Sequence, residues 1–365
     1  MSIDSLTERY AALLTGYCVR VKDGDKVLLN VDLGAADLAR ALCRAVLAAG
    51  GEPFLRPQYP EAAADLVELA SESLLASEAT VQLREIEAMD AFVRVAAQEN
   101  SRVMAGADQG RLARLDKRAA PAGRHRVERT RWVTTLFPTP SAAQEAGMTT
   151  DAYRRFVFDA MFLYDPDPAA RWRELGARQQ RLVERLDAAD EVRIEGPGTD
   201  LRLSVKGRTW ANSDGRRNMP SGEVFTSPIE DSAEGVVRFA VPSAVRGSIV
   251  EDVSLRFEAG RVVEATARQG QELLDGMLAT DDGARYLGEI GIGTNPHIRE
   301  ATLKTLFDEK ILGTIHLALG RSYETTGGRN DSAVHWDLVC DLRDGGRVTV
   351  DGETFLEAGR LVWLE

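Results

Sequence analysis

A chain of 365 residues is longer than a single hydrophobic core usually supports, so its length predicts two domains. Its composition, 44% hydrophobic and 28% charged, is that of an ordinary globular protein and argues against an intrinsically disordered chain. A formal net charge of −12 repels phosphate backbones and attracts cations, so we expect no nucleic-acid partner.

The N-terminal segment and the cysteines bear on cellular location. Acidic residues precede any apolar run at the N-terminus, and no stretch reaches the roughly 18 apolar residues of a membrane helix. Cys18, Cys43 and Cys340 are widely spaced, which argues against both a disulfide framework and a thiolate zinc site. We therefore expect a cytoplasmic protein with no membrane contact.

Strand and helix patterns alternate along the first half of the chain. The predicted strands cover residues 26–31, 53–55, 91–95 and 131–136. The predicted helices cover residues 3–16, 35–49, 62–75 and 153–163. This alternation predicts an N-terminal α/β domain with a mostly parallel sheet and crossover helices. The glycine patterns of dinucleotide and P-loop sites are absent from the sequence, which argues against a nucleotide cofactor.

A long charged helix predicted over residues 168–188 separates this half from a second half with a different residue pattern. Beyond it, alternating apolar and polar runs at 191–194, 201–205 and 253–257 predict antiparallel strands. Turn signals at 258–260 and 351–352 predict hairpins. We predict an α/β domain over residues 1–188 and a catalytic domain over 189–365, of mixed α+β structure and rich in antiparallel strands.

Two of the four histidines lie in strand-like segments of the second domain. His316 and His335 are these two, and Asp337 follows His335 at a spacing of two. Alternate residues of a strand project from the same face, so His335 and Asp337 can bind one ion together. Imidazole and carboxylate form a common ligand set for zinc, manganese, iron or cobalt. The pattern predicts a metal site in the C-terminal third.

Two acids have unusually apolar surroundings. Glu223 and Glu289 are embedded among glycine and apolar residues. A buried carboxylate is costly unless it is paired or binds a metal, so both are predicted ligands. The alternative for either histidine taken alone is a hydrogen-bonded core imidazole, with Asp337 capping a turn. His297, beside Pro296, is more simply a loop histidine than a ligand.

The sequence resembles the M29 metallo-aminopeptidases, also called the thermophilic aminopeptidase family. The resemblance lies in residues 222–226, 287–296, 316–320 with Tyr323, and 335–337. It implies that five residues are metal ligands, namely Glu223, Glu289, His316, His335 and Asp337. It further implies that Glu289 bridges two ions and that Tyr323 is an additional active-site group. A homodimer enclosing a cavity that admits short peptides is also implied.

The predicted function is release of N-terminal amino acids from short peptides. Two divalent ions about 3.5–4 Å apart can share and acidify a water while polarising the scissile carbonyl. The ions are expected to be zinc, cobalt, manganese or magnesium, and Tyr323 can donate a hydrogen bond to the oxyanion. Glu223 or Glu289 can act as general base through the water, but a carboxylate engaged by metal is a poor base, so this role stays open.

Two other functions are compatible with parts of the pattern. His316, His335 and Asp337 alone match the two-histidine, one-carboxylate arrangement of mononuclear non-haem iron dioxygenases, and some ring-cleaving pyridine dioxygenases resemble the M29 fold. A non-catalytic peptide- or metal-binding protein is the third candidate. Glu223 and Glu289 favour two metals and hydrolysis over the iron dioxygenase.

Overall fold

The computed structural model describes residues 3–245 and 247–362, which form two compact units. The first unit comprises the chain up to Arg171 together with Gly215–Pro220. The second comprises Trp172–Asp214 and the chain from Ser221 onward. The units are therefore interleaved along the sequence, and a division into domains at residue 188 stays a prediction.

The helices and strands follow one another in this order. The first part of the chain contains α1 (Ile3–Ala12), a π-helical turn (Leu13–Cys18), β1 (Lys26–Asp32), a 3-10 turn (Leu33–Ala35), α2 (Ala36–Ala48), β2 (Glu52–Gln58), α3 (Ala62–Leu69), α4 (Glu72–Ala76), α5 (Thr80–Glu87), β3 (Ala91–Ala96), α6 (Gln109–Arg129), β4 (Arg131–Leu136), α7 (Pro140–Glu145) and α8 (Thr150–Ala160).

The remainder is dominated by strands. It contains α9 (Pro168–Leu186), β5 (Glu191–Gly196), β6 (Thr199–Ser204), β7 (Ala211–Ser213), β8 (Asn218–Met219), β9 (Glu223–Thr226), β10 (Glu234–Phe239), β11 (Ser243–Val245), β12 (Ser248–Glu258), β13 (Arg261–Gln269), α10 (Gln271–Leu278), a 3-10 turn (Asp282–Arg285), β14 (Leu287–Gly293), α11 (Thr305–Asp308), β15 (Thr314–Gly320), a 3-10 turn (Glu324–Thr326), β16 (His335–Asp341), β17 (Arg347–Val350) and β18 (Glu353–Glu357).

The first unit is built on a parallel sheet, sheet 1, with the strand order β2-β1-β3-β4-β8. Its interior strand β1 is mostly apolar and covered on both faces, since Val27 and Leu29 on one face and Leu28 on the other are almost fully buried. The predicted α/β fold with a parallel sheet is confirmed.

One helix of the first unit differs from the prediction. The pattern over 62–75 predicts a single helix, but the chain forms α3 and α4 with an extended Ala70 between them. Ser71 accepts a hydrogen bond from the backbone N–H of Leu74 and so caps α4. A serine favours a helix start over a helix interior because its hydroxyl can satisfy an otherwise unpaired N–H.

The second unit contains two antiparallel sheets. Sheet 2 has the strand order β11-β12-β10-β6-β5-β17-β18, with β13 also paired to β12. Sheet 3 has the order β16-β15-β14-β9-β7. Both sheets contribute to one apolar core, in which Ile194 and Leu255 of sheet 2 are found with Ile290 and Leu317 of sheet 3. The predicted α+β fold rich in antiparallel strands is confirmed.

Two further sequence predictions concern the whole chain. Cys18 and Cys340 are buried free thiols, and Cys43 is a partly buried one. Within residues 3–245 and 247–362, no helix is long and apolar enough to cross a membrane.

Candidate metal centre

The register of sheet 3 brings the predicted ligands to one face. In the ladders between β14, β15 and β16, His316 pairs with Gly291, and Ala318 pairs with both Glu289 and Asp337. His335 pairs with Gly320 on β15, and Glu223 on β9 pairs with Gly293 on β14. Paired residues of antiparallel strands and alternate residues of one strand share a face. All five predicted ligands therefore project from the same side.

The other face of sheet 3 is apolar. Val224, Ile290, Leu317 and Trp336 alternate with the predicted ligands along their strands and lie in the core of the second unit. Burial of these side chains determines which way each strand faces, since a shift by one residue would place the carboxylates in the core. The hydrophobic alternation therefore also orients the polar face.

The ligand atoms form two groups that share one residue. His316 Nε2 lies 3.3 Å from Glu223 Oε2 and 3.4 Å from Glu289 Oε1. His335 Nε2 lies 3.4 Å from Glu289 Oε2 and 3.6 Å from Asp337 Oδ1. Within each group the ligand atoms all lie within 4.8 Å of one another. Glu289 thus contributes one carboxylate oxygen to each of two potential metal-binding groups.

The two imidazoles are held differently. His335 Nδ1 lies 2.8 Å from the carbonyl oxygen of Arg321, so Nδ1 carries the proton and donates it there. This leaves the Nε2 lone pair directed at the carboxylates, the arrangement in which a metal-binding histidine is usually held. His316 is fully buried, and its Nδ1 has no hydrogen-bond partner among the described residues.

The carboxylates and imidazoles of this face shift one another's pKa values. Burial raises the pKa of Glu289. Burial lowers the pKa of His316, but the hydrogen bond to Glu289 and the charges of Glu223 and Glu289 outweigh it and raise that pKa to about 10. The pKa of His335 is also raised, because Asp337 and Glu289 outweigh its burial. Both imidazoles therefore bind protons more tightly than a free imidazole, and a metal that binds them would displace these protons.

Two charged residues at this site were missed by sequence reasoning. Lys310 is fully buried, with Nζ 3.4 Å from Glu223 Oε1 and in contact with Glu309 Oε1. Burial raises the pKa of Glu309 to about 8, although Lys310 lowers it. The pKa of Lys310 is raised because Glu223 and Glu309 outweigh its burial, so it stays a cation. Glu309-Lys310 resembles a surface turn in the sequence, and only the apolar residues that follow hint at burial.

Tyr323 lies at the edge of the same site. Its ring packs against Phe225, with centroids 5.5 Å apart, and edge-on against His335 at 5.3 Å. Its backbone N–H donates to Ser227 Oγ, and its carbonyl accepts from the Thr326 hydroxyl. Tyr323 is 41% exposed, and partial desolvation together with the charges of Glu289 and Asp337 raises the pKa of its phenol, so it stays a neutral donor at working pH. His297 belongs to neither ligand group among the described residues.

Comparison with known proteins decides the family. The family model described as thermophilic metalloprotease (M29) matches residues 3–360. This chain belongs to the M29 metalloprotease family. The resemblance seen in the sequence is confirmed, and M29 membership supports the use of divalent metal.

The relatives within the family are aminopeptidases. Aminopeptidase 2 of Geobacillus stearothermophilus is 29% identical over 394 residues, covering 95% of this chain and 94% of the relative. Aminopeptidase T of Thermus aquaticus is 34% identical over 262 residues, covering 64% of this chain and 61% of the relative. Wild-type AmpT from Thermus thermophilus superimposes with a TM-score of 0.85 at 27% identity, covering 99% of this chain and all of that structure. The predicted enzyme class, a metallo-aminopeptidase, is confirmed.

A dioxygenase shares the fold. The structure of 2,5-dihydroxypyridine dioxygenase from Pseudomonas putida KT2440 superimposes with a TM-score of 0.61 at 15% identity, covering 99% of this chain and 98% of that structure. Similarity at this level concerns the fold alone. The family match and the named relatives make the dioxygenase the weaker reading.

Proposed function

We propose that this M29 enzyme releases N-terminal amino acids from short peptides at a centre of two divalent ions. Glu223, Glu289 and His316 would hold one ion, and Glu289, His335 and Asp337 the other. The observation that carries the proposal is the position of Glu289, whose two oxygens face two different imidazoles at 3.4 Å. A carboxylate placed in this way can bridge two ions of the kind expected from the sequence, zinc, cobalt, manganese or magnesium.

The charge of the site supports the binding of divalent cations. Four acids, Glu223, Glu289, Asp337 and Glu309, lie in this cluster with a single ammonium, that of Lys310, and all five side chains are at most 12% exposed. With neutral imidazoles the site is strongly anionic, and uncompensated buried charge is costly. Divalent ions held by the two ligand groups would offset these carboxylates.

The residues around this centre have separable roles. When bound, the ions would polarise the scissile carbonyl and acidify a water. The neutral hydroxyl of Tyr323 donates a hydrogen bond to the oxygen that becomes negative at the attacked carbon. A carboxylate that binds a metal is a poor base, which weakens Glu223 and Glu289 as candidates. Glu309 lies outside both ligand groups, so this argument does not apply to it. We assign to Glu309 the transfer of the proton that the attacking water loses.

The experiment that tests the proposal combines metal counting with peptide hydrolysis. Metal-depleted enzyme is reloaded with cobalt, zinc or manganese, and release of the first residue from a tripeptide is followed, with the N-acetylated tripeptide as control. We expect two ions per chain by elemental analysis and cleavage of the free peptide only. One iron per chain in the enzyme as isolated, together with no peptide release after reloading, would overturn the proposal in favour of a dioxygenase. Two bound ions without turnover would indicate a binding protein.

Assembly and location complete the proposal. The family resemblance favours a cytoplasmic homodimer whose enclosed cavity limits substrates to short, flexible peptides. Light scattering should give about twice the mass of one chain. A fully active monomer that degrades folded proteins as readily as tripeptides would contradict this part.

A further inference from the structure

The ring of His316 lies across the neighbouring strand at a residue without a side chain. Gly291 on β14 is the register partner of His316 on β15. A Cβ atom built on Gly291 would lie 2.1 Å from both Cε1 and Nε2 of the His316 ring. Real Cβ atoms essentially never approach other atoms so closely, so this ring position requires glycine at 291.

Position 291 requires glycine because of the nearby His316 ring and not because of its own backbone conformation. Gly291 has no positive φ, so the conformation itself admits any residue. The other glycines of β14 face backbone atoms: a Cβ at Gly293 would meet the carbonyl oxygen of Ile311, and one at Gly288 those of Gly320 and Arg321. Within β14, Gly291 is the glycine whose missing side chain accommodates a predicted ligand.

We propose that Gly291 is a positioning residue for the metal ligand His316. Its missing side chain leaves the space in which the imidazole lies, with Nε2 directed at Glu223 and Glu289. His335 is oriented by a hydrogen bond from Nδ1 to Arg321, but the described residues provide no such partner for Nδ1 of His316. Steric fit against Gly291 takes the place of that hydrogen bond. This inference rests on the proposed function, because it treats His316 as a ligand.

An added methyl group cannot be absorbed by small adjustments. His316 is fully buried, and the interior around it is close-packed, so the ring must turn out of its position or the strands must separate. Metal–ligand distances tolerate only a few tenths of an ångström. Gly291→Ala should therefore prevent His316 from binding its ion. The second ion, proposed to bind Glu289, His335 and Asp337, should be retained.

The test uses the full chain, depleted of metal and titrated with cobalt. The visible absorption of cobalt and competition with a chelator give the number and affinity of bound ions. We expect Gly291→Ala to lower the affinity for one of the two cobalt ions by about 10- to 100-fold, the range found when residues supporting a metal ligand are lost. Gly276→Ala is the matched control, because a Cβ on this α10 residue meets nothing within 4 Å. It should bind cobalt like the wild type.

A double-mutant cycle separates positioning from general damage to the sheet. In a His316→Ala background the ring is absent, so adding Gly291→Ala should change cobalt affinity by less than about twofold. If Gly291→Ala alone folds poorly, the added His316→Ala should restore its melting temperature to that of His316→Ala. An equal loss in both backgrounds would overturn the inference.

Two outcomes distinguish this inference from the proposed function. Normal binding of both cobalt ions by wild type and Gly291→Ala would overturn the inference alone. Absence of cobalt binding by the wild type would overturn the proposed function and the inference with it.

Discussion

Sheets 2 and 3 are both antiparallel and share one apolar core. The charged side chains on their polar faces differ in exposure and in pairing. On sheet 2, Arg193 pairs with Asp200 at 2.9 Å, and these side chains are 37% and 63% exposed. On sheet 3, the side chains of Glu223 and Glu289 are only 5% and 6% exposed. Partly exposed arginines of sheet 2, such as Arg193 and Arg256, pair with acids, whereas the buried acids of sheet 3 lie around two histidines, with Lys310 beside them.

The difference teaches that alternation alone does not determine what a polar face does. Water screens the ion pairs of sheet 2, and such exposed pairs contribute little to stability. The carboxylates of sheet 3 are shielded from water and repel one another, so they require cations or protons. The same strand pattern therefore yields a solvated surface in one sheet and a candidate metal site in the other.

The largest expected effect comes from removing the shared charge on sheet 3. Glu289→Gln keeps nearly the same volume but replaces the carboxylate that faces both imidazoles. We expect peptide hydrolysis to fall by at least about 10³-fold, the scale on which essential groups act. Elemental analysis should show fewer than two ions per chain. A variant that retains a single iron, from a wild type that also held one, would contradict the two-ion centre.

The buried cation beside sheet 3, that of Lys310, should matter more for stability than an exposed cation beside sheet 2. Lys310→Met leaves Glu309 buried without its partner, and breaking a buried ion pair costs about 3–5 kcal/mol of unfolding free energy. Since the pKa of Glu309 is raised to about 8, we expect the cost to shrink at pH 6, where Glu309 is protonated, and to grow at pH 9. Chemical denaturation of the metal-free protein measures both.

Lys206→Met is the matched control for that comparison. The ammonium of Lys206 pairs with Asp190 beside sheet 2, but its side chain is 71% exposed. Its loss should leave the unfolding midpoint unchanged at both pH values. Equal destabilisation by the two lysine substitutions would contradict the contrast between the sheets.

Metal affinity should depend on pH because protons occupy the metal-free site. The pKa values of His316 and His335 are both raised, that of His316 to about 10, so protons compete with metal throughout the neutral range. Affinity should therefore rise with pH from 6 to 8, by about tenfold per unit for each proton displaced. Chelator-competition titrations at three pH values measure this, and a dissociation constant independent of pH would contradict it.

The smallest effect is expected on the exposed face of sheet 2. Arg256 contacts two acids, Glu258 and Glu264, but the acids are 61% and 68% exposed. Arg256→Met should leave peptide hydrolysis and the unfolding midpoint unchanged within error, because water already solvates these charges. A marked loss of stability would show that the network on sheet 2 is more than a solvated surface.

Local patterns allowed much of the fold to be predicted. The apolar run of β1 and the patterns of β4, β5 and β12 are predicted as strands from the sequence, because side-chain periodicity is a property of neighbouring residues. The break between α3 and α4 was missed, since Ser71 is compatible with both a cap and a helix interior until its hydroxyl finds the Leu74 N–H. Such choices depend on contacts that periodicity does not record.

The sequence by itself determined the alternation of strands, the same-face spacing of His335 and Asp337, and the family. Only the tertiary structure decided which strands are neighbours, and hence that Glu223, Glu289 and His316 meet them on one face. It also decided that Glu309-Lys310 is buried there and that Gly291 makes room for a ring. The physical reason is that spacing within a strand is local, whereas register, burial and close approach arise between segments far apart in the chain.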